Sequence, residues 1–480
     1  ITSASAINLQ EMATQGSKTV DITTTAGTIT IGGAISTAAA SGVMTLTSAA
    51  DINTASALTA AGDISLLANA GAGKVYGATV VTTTTGTLLI QADEIDDDGN
   101  AASGAFQVKS AILEVDSNAV AGSADNVSIT SDFAINLQQL DTAGTKAVTI
   151  VTTDGATNTD RHITIGAALT SATLATGTVT LTADDNLIVS NALTTTGALT
   201  LTASGSATKA GKIYGTGIVT AGASSALTLD ADLIGSDVSA TAALGISSGS
   251  LTVDSDATAG GATKLTSASA ITVTAIDAEN GDGAGDLTLI TTGASKDITI
   301  SGAVLADDIT ITASGNVLVN ADVYAGATVA SANGNTISIS ANAGAGSVTT
   351  SGDGNLIAAD TITFTAHSVG DSSNSVDIDL FDDNATNVSF ILGQINTSSK
   401  IYVDENDNNV TLEHLNDDVQ DTTSKTRDTV SLSFTKDVSQ TKSAIVGGTY
   451  SNFVSDGDGV DALVLTPGNF SHSDLATLTV

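Results

Sequence analysis

Apolar and polar residues alternate in short runs along the whole chain. TITI at 28–31, MTLT at 44–47, VTLT at 179–182, LTLT at 199–202, ITIT at 309–312 and TITF at 361–364 share one pattern. A period of two puts the aliphatic side chains on one face of a strand and the threonines on the other. Threonine is β-branched and suits an exposed strand position. The intervening residues are Gly, Asn, Asp, Ser and Ala, most of them turn formers. A single proline in 480 residues leaves the backbone donors free for long ladders. No long amphipathic helical pattern interrupts the strands, so the expected fold is all-β.

Spacing selects the architecture. Met44 to Ile64 is 20 residues, as is Val179 to Leu199; Leu227 to Leu251 is 24 and Ile309 to Ile337 is 28. One strand group every 20–28 residues predicts a solenoid with one coil per repeat. A sandwich would instead carry Asn-Gly-type hairpin signals every 8–12 residues, and these are sparse.

A longer repeat lies above the coils. AINLQ at 6–10 returns at 134–138 and, as AITVT, at 270–274, while TSASAI at 2–7 returns at 266–271. DINTASAL (51–58) aligns with NLIVSNAL (186–193) and NVLVNADV (316–323), and GKVYG (73–77) with GKIYG (211–215). ANAGAG occurs at both 68–73 and 341–346. The offset between the first two copies drifts from 128 at AINLQ to 138 at GKVYG, which places a loop insertion at the corner carrying TDRH. Three copies follow, about 1–130, 131–265 and 266–415, within a solenoid spanning 1–415. Ile7, Ile135 and Ile271 are expected inward, as are Leu9, Leu137 and Val273, with Asn8 and Gln10 outward. Residues 416–428 (NDDVQDTTSKTRD) predict a linker or surface loop, and 429–480 a C-terminal β cap or small β domain.

Segments such as GTVTLTADDNLIVSNALTTTGALTLTASG (177–205) resemble the coil pattern of filamentous-haemagglutinin-type adhesins, over about residues 1–415. That resemblance implies a right-handed parallel β-helix. Roughly 20 coils at ~4.8 Å each would make a shaft of about 100 Å, each coil touching only its neighbours. The secretion domain that marks the start of that family's chains is not seen in these residues.

Charge narrows the partners. With 51 acidic and 14 basic residues the formal net charge is −37, so the basic footprint of a nucleic-acid or anionic-lipid binder is missing. The same acidity attracts divalent cations. No run of 18 apolar residues occurs, so no transmembrane segment is expected. There is no cysteine, which rules out thiol chemistry and, with the acidity, leans towards the surface of a bacterial or archaeal cell.

Candidate chemistry is thin. Acidic clusters at Asp93, Glu94, Asp96, Asp97 and Asp98, at Asp404, Glu405 and Asp407, and at Asp456, Asp458 and Asp461 offer the oxygen ligands Ca²⁺ takes. From these, Asp93, Asp96, Asp98, Asp404, Asp407, Asp456, Asp458 and Asp461 are the candidate Ca²⁺ ligands, although no cluster matches an EF-hand loop or an RTX nonapeptide. Arg161 and His162 beside Asp154 and Asp160 are the one charged loop that could serve an enzyme, and a solvated corner is the competing reading. His367, His414 and His472 are scattered, and no GxSxG or HExxH occurs. Tyr76 with Lys74, and Tyr214 with Lys212, read either as a repeated contact to a neighbour or glycan, or as register-keeping turns. Trp is absent, which limits sugar stacking.

The expected function is therefore a non-enzymatic, extracellular structural or adhesive solenoid. It would be a subunit of a surface fibre, sheath or layer that associates head to tail through exposed solenoid ends, with a glycan or host surface as a further contact. The first coil is then an edge on which something stacks. A polysaccharide-active β-helix enzyme and a monomeric adhesin shaft are the alternatives.

Overall fold

The computed structural model describes residues 1–370 except the short segments 16–17, 39–41, 99–103, 118–125, 143, 154–160, 170–176, 206–209, 256–261, 279–284, 327–334, 352–354 and 360. Beyond 370 it describes residue 374 and the strands Val376–Leu380, Asn387–Leu392, Lys400–Glu405, Leu412–Glu413, Thr429–Phe434 and Ala462–Pro467. The linker expected at 416–428 lies outside these residues. The protein is an all-β parallel β-solenoid, in two units, Ile1–Val238 and Ser239–Val480.

In the first unit, the residues the spacing set as equivalent are direct ladder partners. Met44 pairs with Ile64, which pairs with Leu88, and Val179 pairs with Leu199, all in parallel. Ile309 pairs with Ile337 in the second unit. A period-two strand closing onto its own next coil stacks each inward aliphatic on another. Ile22, Leu46, Leu66 and Ile90 form one such row, all fully buried. The coils are fewer than the twenty or so expected, because corner loops stretch many of them beyond the shortest spacing of 20 residues.

The interior is not purely aliphatic. The last residue of many of the long strands also points inward, and it is often a hydroxyl: Thr24, Ser48, Ser117, Ser131, Thr152, Ser267 and Thr291 are all buried. These hydroxyls meet backbone groups that the corner would otherwise leave unpaired. Ser48 Oγ donates to Asp51 O at 2.8 Å, and Thr291 Oγ1 donates to Lys296 O at 2.7 Å.

The number of faces changes along the first unit. Its early coils have three short strands: Ile29–Ile31, Ile35–Thr37 and Met44–Ser48 follow one another and stack on separate ladders. Then two faces fuse. Ile95 of one strand and Phe106 of the next both pair with the single strand Val127–Ser131, at Val127 and Ile129. The eight-residue strand Ile135–Thr142 follows, and beyond it a new short face opens at Leu169, bridged to Leu193. Met44–Ser48 belongs to the ladder of Ile135–Thr142, whereas its equivalent Val179–Ala183 belongs to the ladder of Val127–Ser131. Copy two is displaced by one face relative to copy one.

The second unit repeats the device. Ile271–Asp277 stacks on both Ile298–Ile300 and Val304–Ala306, so one face divides into two. Ser368–Val369 and Val376–Leu380 later converge on Lys400–Glu405. Thr429–Phe434 and Ala462–Pro467 continue that ladder in parallel register.

AINLQ begins the strand from which the split starts. Ile135, Leu137, Ile271, Val273 and Leu9 are buried and Ile7 is half-buried, as the alternation expects. The outward pair is structural: Gln10 Nε2 donates to Asn8 Oδ1 at 2.8 Å, and Gln138 Nε2 to Asn136 Oδ1 at 3.0 Å. Each amide pair lies over a glycine of the next coil, Gly32 and Gly166, where a Cβ would overlap the Asn oxygen. In copy three both amides are threonines, Thr272 and Thr274, and the matching residue is Ser301. Gly166→Ala is therefore expected to destabilise the fold by about 1–3 kcal/mol. Adding Asn136→Thr and Gln138→Thr should restore most of it, as read from the urea midpoint.

Candidate functional site

The corner after strand Thr87–Gln91 holds an unusual density of buried charge. Asp93, Glu94 and Asp96 are 7%, 0% and 4% exposed. Parallel register sets Lys74 beside Glu94, Val75 beside Ile95 and Tyr76 beside Asp96. Lys74 and Glu94 form an ion pair.

Asp93 faces a different partner. Lys146, 1% exposed, makes an ion pair with its carboxylate. The same ammonium donates to Asp93 O at 2.7 Å, and to Ser117 O and Ser117 Oγ at 3.0 Å each. Ser117 Oγ in turn donates to Asp93 O at 2.8 Å. Asp93, Ser117 and Lys146 occupy the same corner of successive coils, so one lysine ties three coils together. Burying two charges is repaid only when the pair is close and its remaining hydrogen-bond capacity is met, and here the three N–H donors of the lysine are surrounded by the carboxylate and three further oxygens.

Asp96, Asp97 and Asp98 bring carboxylate oxygens within 4.8 Å of one another. Asp98 N–H donates to Asp96 Oδ1 at 3.1 Å, which folds the loop back on its own acid. Hard oxygen donors at this separation are the set Ca²⁺ takes. Of the ligands expected from sequence, the structure thus gathers Asp96 and Asp98, adds Asp97, and turns Asp93 inward to Lys146. Asp404 lies on strand Lys400–Glu405. Asp407, Asp456, Asp458 and Asp461 fall outside the described residues.

The second charged corner is a staple as well. Arg161 pairs with Asp184 on the next coil, while Arg161 N–H donates to Asp185 Oδ2 at 2.9 Å. Thr152 Oγ1 donates to Arg161 O at 2.7 Å, and Asp184 N–H donates to Thr152 Oγ1 at 3.0 Å. The guanidinium is committed to holding neighbouring coils, and Asp154 and Asp160 lie outside the described residues.

The two GK-aliphatic-YG segments sit where backbones pass closely. Gly77 and Gly215 have φ of +150° and +146°, and a Cβ on either would overlap a carbonyl of the preceding coil, at Thr54 and Val189. Lys212 Nζ donates to Val238 O at 2.7 Å, and burial raises the Tyr214 hydroxyl above its usual range. Sequence reasoning missed Lys146. The sequence offers only an isolated lysine there, and the coil register alone sets it against Asp93 and Ser117 of the preceding coils. No known protein family, curated protein or solved structure matches the chain.

The Glu94 carboxyl is pushed up to about 7, mainly by burial, with Lys74 opposing and Asp96 adding to the rise. Between its ordinary value of 4.5 and about 7 the folded chain then holds this proton more tightly than the unfolded chain does. The stabilisation is complete below 4.5 and is lost as pH rises through about 7. Glu94→Gln should flatten that part of a stability-against-pH curve measured by urea melts. Lys146→Met should cost about 3–5 kcal/mol by leaving Asp93 buried and uncompensated. The double change Lys146→Met with Asp93→Leu should recover most of that loss.

Proposed function

We propose that this chain is an extracellular structural or adhesive β-solenoid of the filamentous-haemagglutinin shaft kind, a non-enzymatic subunit that self-associates into a surface fibre, sheath or layer. The observation that carries the reading is where the chain places its buried and half-buried charge pairs. The Asp93–Lys146 and Arg161–Asp184 pairs both join one coil to another, which is work proper to a scaffold. Inward rows of Ile, Leu and Val and outward rows of Thr add to it, since they lay out broad regular walls. Among the described residues no helix is long and apolar enough to cross a membrane.

Ca²⁺ at Asp96, Asp97 and Asp98 belongs to the same reading. A chain of net charge −37 repels its own copies, and a divalent cation on an acidic corner reduces that repulsion. The residues from 429 to 480 are read as a C-terminal β cap or small β domain.

Negative-stain electron microscopy of the purified chain, with and without millimolar Ca²⁺, tests the proposal. Filaments or sheets that lengthen with Ca²⁺ are expected, and Asp96→Asn with Asp98→Asn should raise the Ca²⁺ required by tenfold or more. Monodisperse monomers under every condition would refute self-assembly.

A further inference from the structure

The fusion of two faces into one leaves a cleft on the wall of the first unit, and its lining departs from the chain's own repeat. The cleft, of about 480 Å³, is bounded by Thr82–Thr84, Lys109–Ala111 and Phe133–Ala134, which come from three successive coils. Strands Val81–Thr83 and Phe106–Lys109 stack as the third face, but the following strand, Val127–Ser131, pairs with Phe106 and with Ile95. The third face ends there, and the chain crosses the end of it through Asp132–Ala134.

The floor is fixed. Thr83 Oγ1 and Ser110 Oγ lie 2.7 Å apart, Thr83 Oγ1 donates to Gly86 O at 2.9 Å, and Ser110 Oγ donates to Ile112 O at 2.6 Å. Above it sits the Lys109 ammonium, 3.5 Å from the centre of the Phe133 ring. In a chain with 51 acidic residues, this ammonium rests on an aromatic ring and, among the described residues, makes no ion pair. A cation over a ring at a partly exposed position is a weak contact, easily exchanged for a carboxylate.

The repeat supplies a control within the same chain. AFQVKSAILEVDS (105–117) aligns without gaps to ALGISSGSLTVDS (243–255), and SDFAINLQ (131–138) to SASAITVT (267–274). The residues matching Lys109 and Phe133 are therefore Ser247 and Ser269, and in copy one Ser5 also matches Phe133. The coil pattern is met by serine at both places. Two departures from it, on neighbouring coils, touch each other in the one cleft. Local choices the fold does not require are where function is expected to reside.

We propose that this cleft is a binding subsite for an acidic sugar, a hexuronate unit of a glycan, with Lys109 on its carboxylate and the Phe133 ring against its C–H face. Thr82 and Thr84 supply hydroxyls along the rim, and the volume falls within the range of sites for ligands of one or two rings. The net charge of −37 does not forbid an anion here, because at physiological salt each charge is screened within about 8 Å. The local charges decide, and Asp132, exposed and next to Phe133 in the chain, opposes binding.

The site goes beyond the structural reading and is tested on dispersed protein, so its failure and the failure of self-assembly are separate results. Full-length chain is titrated calorimetrically in 0.15 M salt with a galacturonic-acid disaccharide and with the neutral galactose disaccharide. Saturable binding of the acidic sugar is expected, at least tenfold tighter than the neutral one. Lys109→Ser and Phe133→Ser, which restore the repeat's own residues, should each weaken it tenfold or more with melting unchanged. Asp132→Asn should strengthen it, which gives a readout that does not depend on losing anything. No saturable binding at millimolar sugar, equal or tighter binding of the neutral sugar, or affinity untouched by all three substitutions would overturn the proposal.

Discussion

Parallel stacking of each coil on the next is the constraint from which the remaining features follow. Backbone donors in the strands pair with the neighbouring coil, and inward side chains land on side chains one coil away. Val179 on Leu199 on Leu227 is such a row, and each member is buried. The row admits little variation in side-chain volume, because a coil that bulges inward forces its neighbours apart. Variation is therefore pushed to the corners and to the outward wall.

The corners show how that variation is absorbed. Hydroxyls at the strand ends cap free carbonyls. Glycines at 32 and 166 make room for the amide pairs of the preceding coil. Where charge enters the corner it is matched across coils, and Lys146 spans three of them to reach Asp93. The Glu94–Asp96 pair is the least comfortable of these arrangements. In the second copy the matching residues of ADLIG (231–235) are Leu233 and Gly235, so the solenoid folds at that place without either acid. The cost is the raised carboxyl of Glu94, and of the two acids Asp96 joins Asp97 and Asp98 in a cluster.

Face fusion explains why a regular repeat yields local individuality. When two short strands stack on one long strand, the surface above the lost face is open on one side. Lys109 and Phe133 meet in that opening. The same fusion displaces the second copy by one face, so Lys74–Tyr76 and Lys212–Tyr214, alike in sequence, sit on different ladders of the first unit. A repeated motif on such a chain is not a repeated surface.

The sequence by itself determined the strand period, the coil spacing, the inward and outward sides of AINLQ, and the pairing of Met44 with Ile64 and of Ile309 with Ile337. These are local or one-coil properties, and alternation of apolar residues with threonine is enough to specify them. It also located the acidic corner at 93–98, because carboxylates in that density are visible in any reading. Tertiary structure alone decided which of those acids look inward, that Arg161 clasps Asp184, and that Lys146 crosses three coils. It alone decided that faces fuse at Val127–Ser131. Each of these depends on the register of residues 20 or more positions apart, and a shift of one residue in that register exchanges the core for the surface.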